Sequence, residues 1–320
     1  MASAVIVNDL KKYYGPVKAV DGISFEVKEG SIFGILGPNG AGKTTSIETI
    51  VGLNKKDSGY ISIMGYDNEK ELDKIKKIIG VQLQSPTLFP RLTVKETLDL
   101  FASFYSTPRK SGEVLELLEL TEKSSTRVHK LSGGQRHRLA VGLAIVSNGD
   151  ILFLDEPTTG LDPQSRRKLW EVIVNLKKEG KTILLSTHYM DEAEELCDEL
   201  IIIDRGKIIA HGSPRTLVKE HFSETAIEIT DIDLSEEEIE NLQSLNPERK
   251  VFYEQAESRL ILYSDDLLFT MKELIEFTTG IGKAVSDIVV RNPDLEDVFL
   301  KLTGRRIRER KCLKPYLSLP

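Results

Sequence analysis

The chain has 320 residues, 40% of them hydrophobic, which is enough for one large domain and a smaller one, each with its own core. Its formal net charge of -7 argues against a general nucleic-acid binder, because a protein that neutralises phosphates needs a basic surface. Cys197 and Cys312 lie far apart and outside any metal-binding spacing, so they indicate neither a disulfide framework nor a zinc site and fit a reducing cytosol.

The apolar runs of the chain are short. None reaches the roughly 18 to 20 residues that span a bilayer. The first residues also lack the basic-then-apolar pattern of a signal peptide. We therefore expect a soluble protein that reaches a membrane only through another molecule.

The first predicted elements in chain order are strands in an antiparallel arrangement. Ala4 to Val27 alternates short β-prone runs around the turn at Gly15 and Pro16. From Ser31 the pattern changes to apolar runs without polar alternation, which are typical of buried parallel strands. Helix signals follow each run, so the sequence predicts an α/β sheet. These runs are Ile32 to Leu36, Ile151 to Leu154 and Thr182 to Leu185.

A mostly helical stretch, about residues 86–146, separates the first and second of these runs. It contains a capping box at Thr93 and Glu96, and we interpret it as a helical subdomain inserted into the α/β core. A further helix is predicted after the second run. Asp162 and Pro163 supply its N-cap and first-turn proline, and Gly180 ends it.

A second domain is predicted after the hairpin from Ile201 to Ala210. The segment Gly212-Ser213-Pro214 signals a boundary, and we assign residues 1–220 to the first domain, 221–304 to the second and 305–320 to a basic tail. The second domain has the strand and helix order βαββαβ, which is the ferredoxin-like pattern. Its elements are Ala226 to Ile232, Ser235 to Leu245, a hairpin from Val251 to Tyr263, Leu267 to Phe277, Lys283 to Arg291 and a last helix from Asp294 to Leu302.

A phosphate-binding loop follows the first buried strand. The spacing GxxxxGKT places glycines where the backbone must bend, so that its N–H groups and the following helix N-terminus face phosphate oxygens. Lys43 is expected to bridge the β- and γ-phosphates of ATP, and the Thr44 hydroxyl to ligate Mg²⁺. The predicted nucleotide-binding residues here are Gly37, Pro38, Asn39, Gly40, Ala41, Gly42, Lys43, Thr44 and Thr45.

Two adjacent carboxylates end the second buried run. Ligands of open α/β sheets bind at such strand ends. Asp155 is placed to hold Mg²⁺, usually through a water, and Glu156 to accept a proton from the attacking water. An isolated acid pair is more often only solvated, but a phosphate-binding loop in the same sheet favours the catalytic interpretation.

A second candidate anion-binding helix start lies at Leu131-Ser132-Gly133-Gly134-Gln135. Ser132 can cap the helix and the two glycines expose the backbone. The segment resembles, letter for letter, the signature of ATP-binding-cassette (ABC) ATPases, and it stands just upstream of Asp155 as in that family. The resemblance implies that Ser132, Gly133, Gly134 and Gln135 bind the ATP of a neighbouring subunit in a head-to-tail dimer.

The same resemblance implies further site residues. Tyr14 takes the position of the aromatic residue that stacks on adenine, although Tyr13 could take the role. Gln84 resembles the glutamine that contacts Mg²⁺ and water, with Gln82 as the nearby alternative. His188 matches the switch histidine that contacts the γ-phosphate, although a lone histidine is more often structural.

Asp162 has two possible roles. It resembles the family's aspartate that communicates across the dimer, and it is also a good helix N-cap; both roles can hold. The stretches from Asp155 to Pro163 and from Asp294 to Gly304 resemble ATPase subunits of bacterial or archaeal type-2 ABC exporters. The resemblance implies a separate transmembrane permease subunit, a homodimer or a heterodimer with a second ATPase subunit, and a cytoplasmic place on the inner face of the cell membrane.

Two rival classes remain at this point. One is a soluble ABC ATPase of translation or DNA repair, but such proteins usually carry two cassettes or a long coiled coil, and this sequence has one phosphate-binding loop and no sustained heptads. The other is an importer ATPase, whose C-terminal region more often suggests a small β-barrel than βαββαβ. The sequence therefore favours an ATP-hydrolysing exporter subunit, and no nucleic-acid partner is expected.

Overall fold

The computed structural model describes residues 2–84, 88–246, 251–255, 257–283, 285 and 287–304. The described chain divides into two compact units that meet between Pro214 and Arg215. This division falls at the boundary signal Gly212-Ser213-Pro214, a few residues before the predicted limit at residue 220. The predicted start of the helical subdomain at residue 86 and the basic tail 305–320 lie outside the described residues.

An antiparallel sheet opens the first unit. Strands β1 (Ser3–Tyr14) and β2 (Val17–Lys28) pair directly, as the sequence predicts, around a turn in which Gly15 has a φ of 58°. Strands β4 (Ser58–Ile63) and β5 (Tyr66–Asp67), which were not predicted, complete the sheet in the order β2-β1-β4-β5.

A six-stranded, mainly parallel sheet forms the centre of the first unit. Its order is β10-β9-β3-β8-β7-β6, and only the hairpin of β9 and β10 is antiparallel. The three predicted strands β3, β7 and β8 are fully buried, which explains their uninterrupted apolar sequences. The strands are β3 (Ile32–Leu36), β6 (Ile79–Gln82), β7 (Ile151–Asp155), β8 (Thr182–Thr187), β9 (Glu199–Asp204) and β10 (Lys207–Gly212).

Helices connect these strands. The predicted capping box is present at Thr93, which starts α3, and the predicted cap Ser132, which starts α5, also forms a capping box with Gln135. Helices α3, α4 and α5 form the predicted helical insertion between β6 and β7. The helices of this unit are α1 (Lys43–Ile50), α2 (Leu72–Ile75), α3 (Val94–Ala102), α4 (Ser111–Leu117), α5 (Gly133–Val146), α6 (Pro163–Lys178) and α7 (Met190–Leu196).

The second unit has the predicted ferredoxin-like topology. Its antiparallel sheet has the order β12-β13-β11-β14. Two strands that a helix connects along the chain are therefore never neighbours in the sheet: β13 lies between β11 and β12, and β11 lies between β13 and β14. A core of buried side chains including Ile227, Leu260 and Leu274 joins the sheet to its helices. The elements are α8 (Pro214–His221), β11 (Thr225–Thr230), α9 (Glu236–Leu245), β12 (Val251–Glu254), β13 (Arg259–Ser264), α10 (Leu267–Gly280), β14 (Asp287–Arg291) and α11 (Leu295–Thr303).

Candidate nucleotide-binding site

The phosphate-binding loop joins the buried end of β3 to the first turn of α1. Gly42 has a φ of 108°, and a Cβ there would lie 2.2 Å from the carbonyl oxygen of Ala19. A side chain at this position is therefore excluded both by the backbone conformation and by the neighbouring strand. Because of this tight turn, α1 begins at Lys43 with its free N–H groups directed to the loop.

Lys43 is buried inside this loop. Its Nζ donates hydrogen bonds to the carbonyl oxygens of Gly37, at 2.8 Å, and Pro38, at 3.2 Å. The same atom lies 3.1 Å from Oε1 of Glu156. The predicted phosphate-bridging lysine and the predicted base are thus in direct contact.

Glu156 is the meeting point of the predicted catalytic groups. Its Oε1 lies 3.2 Å from Nδ1 of His188, and its Oε2 accepts hydrogen bonds from Nε2 of Gln84, at 3.1 Å, and from the hydroxyl of Thr159, at 3.0 Å. The backbone of Glu156 has a φ of 50°, which is a strained conformation for a residue other than glycine. This turn of the backbone directs the side chain away from the end of β7 toward these partners.

The surroundings of Glu156 keep its carboxylate charged. Burial acts to raise its pKa, but the hydrogen bond with His188 and the positive charge of Lys43 outweigh burial and lower the pKa to about 2. A carboxylate held in this way accepts hydrogen bonds at both oxygens at neutral pH.

Asp155 and its neighbours suit a magnesium ion. The side chain is fully buried, its Oδ1 accepts a hydrogen bond from the Ser186 hydroxyl, and its Oδ2 has no hydrogen-bond partner among the described residues. Burial raises the pKa of Asp155, while the hydroxyls of Ser186 and Thr44 act in the opposite direction. A carboxylate, a hydroxyl and the amide oxygen of Gln84 are the hard oxygen donors that Mg²⁺ prefers.

A cavity of about 470 Å³ lies over the loop. Many of the predicted residues line it, and so do several residues that were not predicted, among them Val17, Lys18 and Arg205. The predicted residues in its lining are Asn39, Gly40, Gly42, Lys43, Thr44, Thr45, Gln84 and Glu156.

Arg205 reaches the cavity from the tip of the β9–β10 hairpin. Gly206, its neighbour, donates its N–H to the carbonyl oxygen of Ala41 at 2.9 Å and accepts from the N–H of Asp21 at 2.8 Å. A Cβ at Gly206 would meet the carbonyl oxygens of Lys18 and Ala19 within 3 Å, so the hairpin packs closely under the loop. No sequence motif marks Arg205, because only this long-range packing brings it to the site.

The structure separates the alternatives at positions 82 and 84. Gln82 is buried and donates to the main-chain oxygens of Leu83 and Asp155, so it holds the end of β7. Gln84, in contrast, contacts Glu156 directly and lines the cavity. This arrangement favours Gln84 as the site residue.

The two tyrosines also differ. The hydroxyl of Tyr13 donates to Asp21 at 2.6 Å, and this hydrogen bond raises the pKa of Tyr13 to about 12. Tyr14 is 48% exposed, and its hydroxyl accepts from Asn54. Tyr14 is not among the residues that line the cavity, and Nζ of Lys12 lies 5.1 Å from the centroid of its ring. Its greater exposure favours Tyr14 over Tyr13 for stacking on a base.

The signature segment lies apart from the cavity. Ser132 accepts from the N–H of Gln135 at 3.2 Å, and the Gln135 side chain accepts from the N–H of Ser132 at 3.0 Å, which completes the capping box. Ser132 and Gly133 are exposed, and no residue from Ser132 to Gln135 lines the cavity. Asp162 caps α6 by accepting from the N–H of Ser165 at 3.0 Å.

This parallel sheet, with a phosphate-binding loop at one strand end and a paired carboxylate site at another, defines a P-loop ATPase. A family model described as "ABC transporter" matches residues 20–159. The chain is 38% identical to "Nod factor export ATP-binding protein I" of Ralstonia nicotianae over 95% of this chain and 94% of that protein. It is 36% identical to "Linearmycin resistance ATP-binding protein LnrL" of Bacillus subtilis over 94% of this chain and 98% of that protein.

Solved structures show the same cassette. The ATP-binding cassette MJ0796, a dimer in a post-hydrolysis state bound to ADP and Pi, matches with a TM-score of 0.60 and 28% identity over 65% of this chain and 98% of that one. An ATP-binding subunit of an ABC transporter matches with a TM-score of 0.63 and 28% identity over 68% of this chain and 93% of that one. The chain belongs to the family of ABC transporter ATP-binding subunits, and one of the two named relatives is an export ATP-binding protein. It is an ATP-hydrolysing subunit of this family.

Proposed function

We propose that this chain is the motor of an exporter, and that two cassettes close head to tail around two ATP molecules. The observation that carries the proposal is the separation of two anion-binding helix starts. Lys43 and Glu156 face one cavity, whereas the capped segment from Ser132 to Gln135 does not line it, and its first two residues are exposed. An exposed N-terminus of this kind can bind the γ-phosphate held by a partner cassette.

The chemistry of the site follows from its own residues. Lys43 exchanges its carbonyl partners for phosphate oxygens, and Glu156, oriented by His188 and Gln84, takes the proton of the attacking water. A bound Mg²⁺ supplies charge neutralisation between the phosphates, and Thr44, Asp155 and Gln84 are the residues that would hold it.

The proposal places the chain beside a separate transmembrane permease subunit on the inner face of the cell membrane. Among the described residues no helix is long and apolar enough to cross a bilayer. The relatives named for Nod factor export and linearmycin resistance match this chain over nearly their whole length. The name of the Nod factor relative supports an exporter, in which the permease subunit carries the cargo.

The test uses Glu156→Gln in the full chain. The variant should bind Mg-ATP, lose at least about 100-fold in hydrolysis rate, and accumulate as a dimer in light scattering when ATP is present. Lys43→Ala is the control, because it should remain a monomer at the same ATP concentration. Hydrolysis by Glu156→Gln at the wild-type rate, or a dimer that forms equally well in Lys43→Ala, would contradict the proposal.

A further inference from the structure

Glu192, on α7, is a buried carboxyl group that the reaction described above does not use. Glu192 is fully buried, and it forms no ion pair within the described part of the chain. Its Oε1 accepts a hydrogen bond from the indole Nε1 of Trp170 at 3.0 Å. Burying a carboxyl group without a cation costs free energy, and only hydrogen bonds to its oxygens offset this cost.

The neighbours of Glu192 belong to the two loops that carry the catalytic pair. The hydroxyls of Thr187 and Thr158 both act on its pKa, which burial raises. Thr187 directly precedes His188, and Thr158 follows Glu156 by two positions. Oε2 of Glu192 and the Thr158 hydroxyl are both buried and lack a hydrogen-bond partner among the described residues. A hydrogen bond between them would satisfy both groups.

The indole of Trp170 extends this contact to α6. The guanidinium of Arg166 lies 5.6 Å from the Trp170 ring and 5.0 Å from the Tyr189 ring. The rings of Tyr189 and His188 are in turn 4.1 Å apart between centroids. Arg166 and Trp170 both lie in the first half of α6, which starts after the Asp162 cap. This half of the helix therefore contacts the segment that follows His188 twice, through Arg166 on Tyr189 and through Trp170 on Glu192.

We propose that Glu192 is a positioning residue for ATP hydrolysis, and that its carboxyl group fixes the loops of Glu156 and His188 against α6. The inference rests on the proposed roles of Glu156 and His188. A carboxyl group in this place sets the distance between the base and its histidine without touching the nucleotide. It acts on the rate of the chemical step more than on ATP binding, because the lining of the cavity does not include it.

The experiment compares steady-state hydrolysis by full-length variants. Glu192→Ala should lower kcat about tenfold or more and change KM for ATP by less than about twofold. Glu192→Gln keeps an acceptor for the Trp170 N–H and a group that can donate to Thr158, so it should recover most of the wild-type kcat. Glu195→Ala, which removes an exposed carboxylate from the same helix, should leave kcat unchanged.

A folded Glu192→Ala variant with wild-type kcat would overturn the inference, as would a Glu192→Gln variant as slow as Glu192→Ala. If Glu192→Ala does not fold, Trp170→Phe takes its place: a lower kcat at unchanged KM supports the inference, and an unchanged kcat overturns it. Glu156→Gln is assayed alongside. Rapid ATP turnover by Glu156→Gln would contradict the proposed function itself. A low kcat of Glu156→Gln together with a wild-type kcat of Glu192→Ala would contradict only the role of Glu192.

Discussion

At the scale of single residues, we infer that Lys43 couples nucleotide binding to the basicity of Glu156. Its ammonium group contacts two carbonyl oxygens and the Glu156 carboxylate, and phosphate oxygens are stronger acceptors than carbonyls. When Lys43 turns to phosphate, Glu156 loses a cation that helps to hold its pKa near 2. The carboxylate then becomes a better proton acceptor at the step that needs one.

Arg205 brings a positive charge to the cavity, and no role has been assigned to it so far. It lines the cavity, is exposed, and has no ion-pair partner among the residues that the structure describes. Because an unpaired guanidinium near phosphates adds attraction, Arg205→Ala should weaken Mg-ATP binding by about three- to tenfold in a titration with a fluorescent ATP analogue.

Lys207→Ala provides the matched control for Arg205. Lys207 lies on the same hairpin and is 66% exposed at its side chain, but its Nζ lies 3.8 Å from Asp21 and it does not line the cavity. Its loss should change ATP affinity by less than about twofold. Equal affinities of Arg205→Ala and wild type would show that the guanidinium does not act on the nucleotide.

At the scale of elements, local signals predicted the structure well and long-range pairing was missed. The capping boxes at Thr93, Ser132 and Ser235 and the buried strands β3, β7 and β8 depend on residues a few positions apart, and all are present. Strand β4 pairs with β1, some fifty residues away in sequence, and no local pattern marks this partnership. Arg205 was missed for the same reason, since only tertiary packing brings it to the cavity.

Two of these capped helices allow capping to be separated from function. Ser132 and Ser235 form the same reciprocal capping box, with Gln135 and Glu238 respectively. Removing either hydroxyl should cost about 1 kcal/mol of stability, measured by chemical denaturation. Only Ser132→Ala should also reduce ATP-driven dimerisation and hydrolysis, because its helix start is the one proposed to meet the partner's phosphate. An equal loss of activity in Ser235→Ala would contradict that assignment.

At the scale of the whole molecule, the site and the second unit depend on different interactions. The described residues that line the cavity all belong to the first unit. In the second unit, α11 is attached to the sheet through Asp297, which is fully buried and accepts from Arg291 at 2.9 Å and from the Tyr263 hydroxyl at 2.7 Å. Burial acts to raise the pKa of Asp297, but Arg291 and Tyr263 outweigh it and lower the pKa.

Asp297→Ala tests whether the two units are energetically separate. It removes the hydrogen bonds that Arg291 and the Tyr263 hydroxyl donate to Asp297, while Arg291 keeps Glu228 at 3.0 Å. Losing these buried hydrogen bonds should cost about 1 to 3 kcal/mol, so the second unit should melt earlier in calorimetry. The Mg-ATP affinity at temperatures below that transition should stay within about twofold of wild type, because the described residues that line the cavity include neither Asp297 nor its partners Arg291 and Tyr263. Asp265→Ala, an exposed acid of the same unit, should leave both properties unchanged. If Asp297→Ala weakens ATP binding while the unit is still folded, the second unit acts on the nucleotide site and regulates the motor.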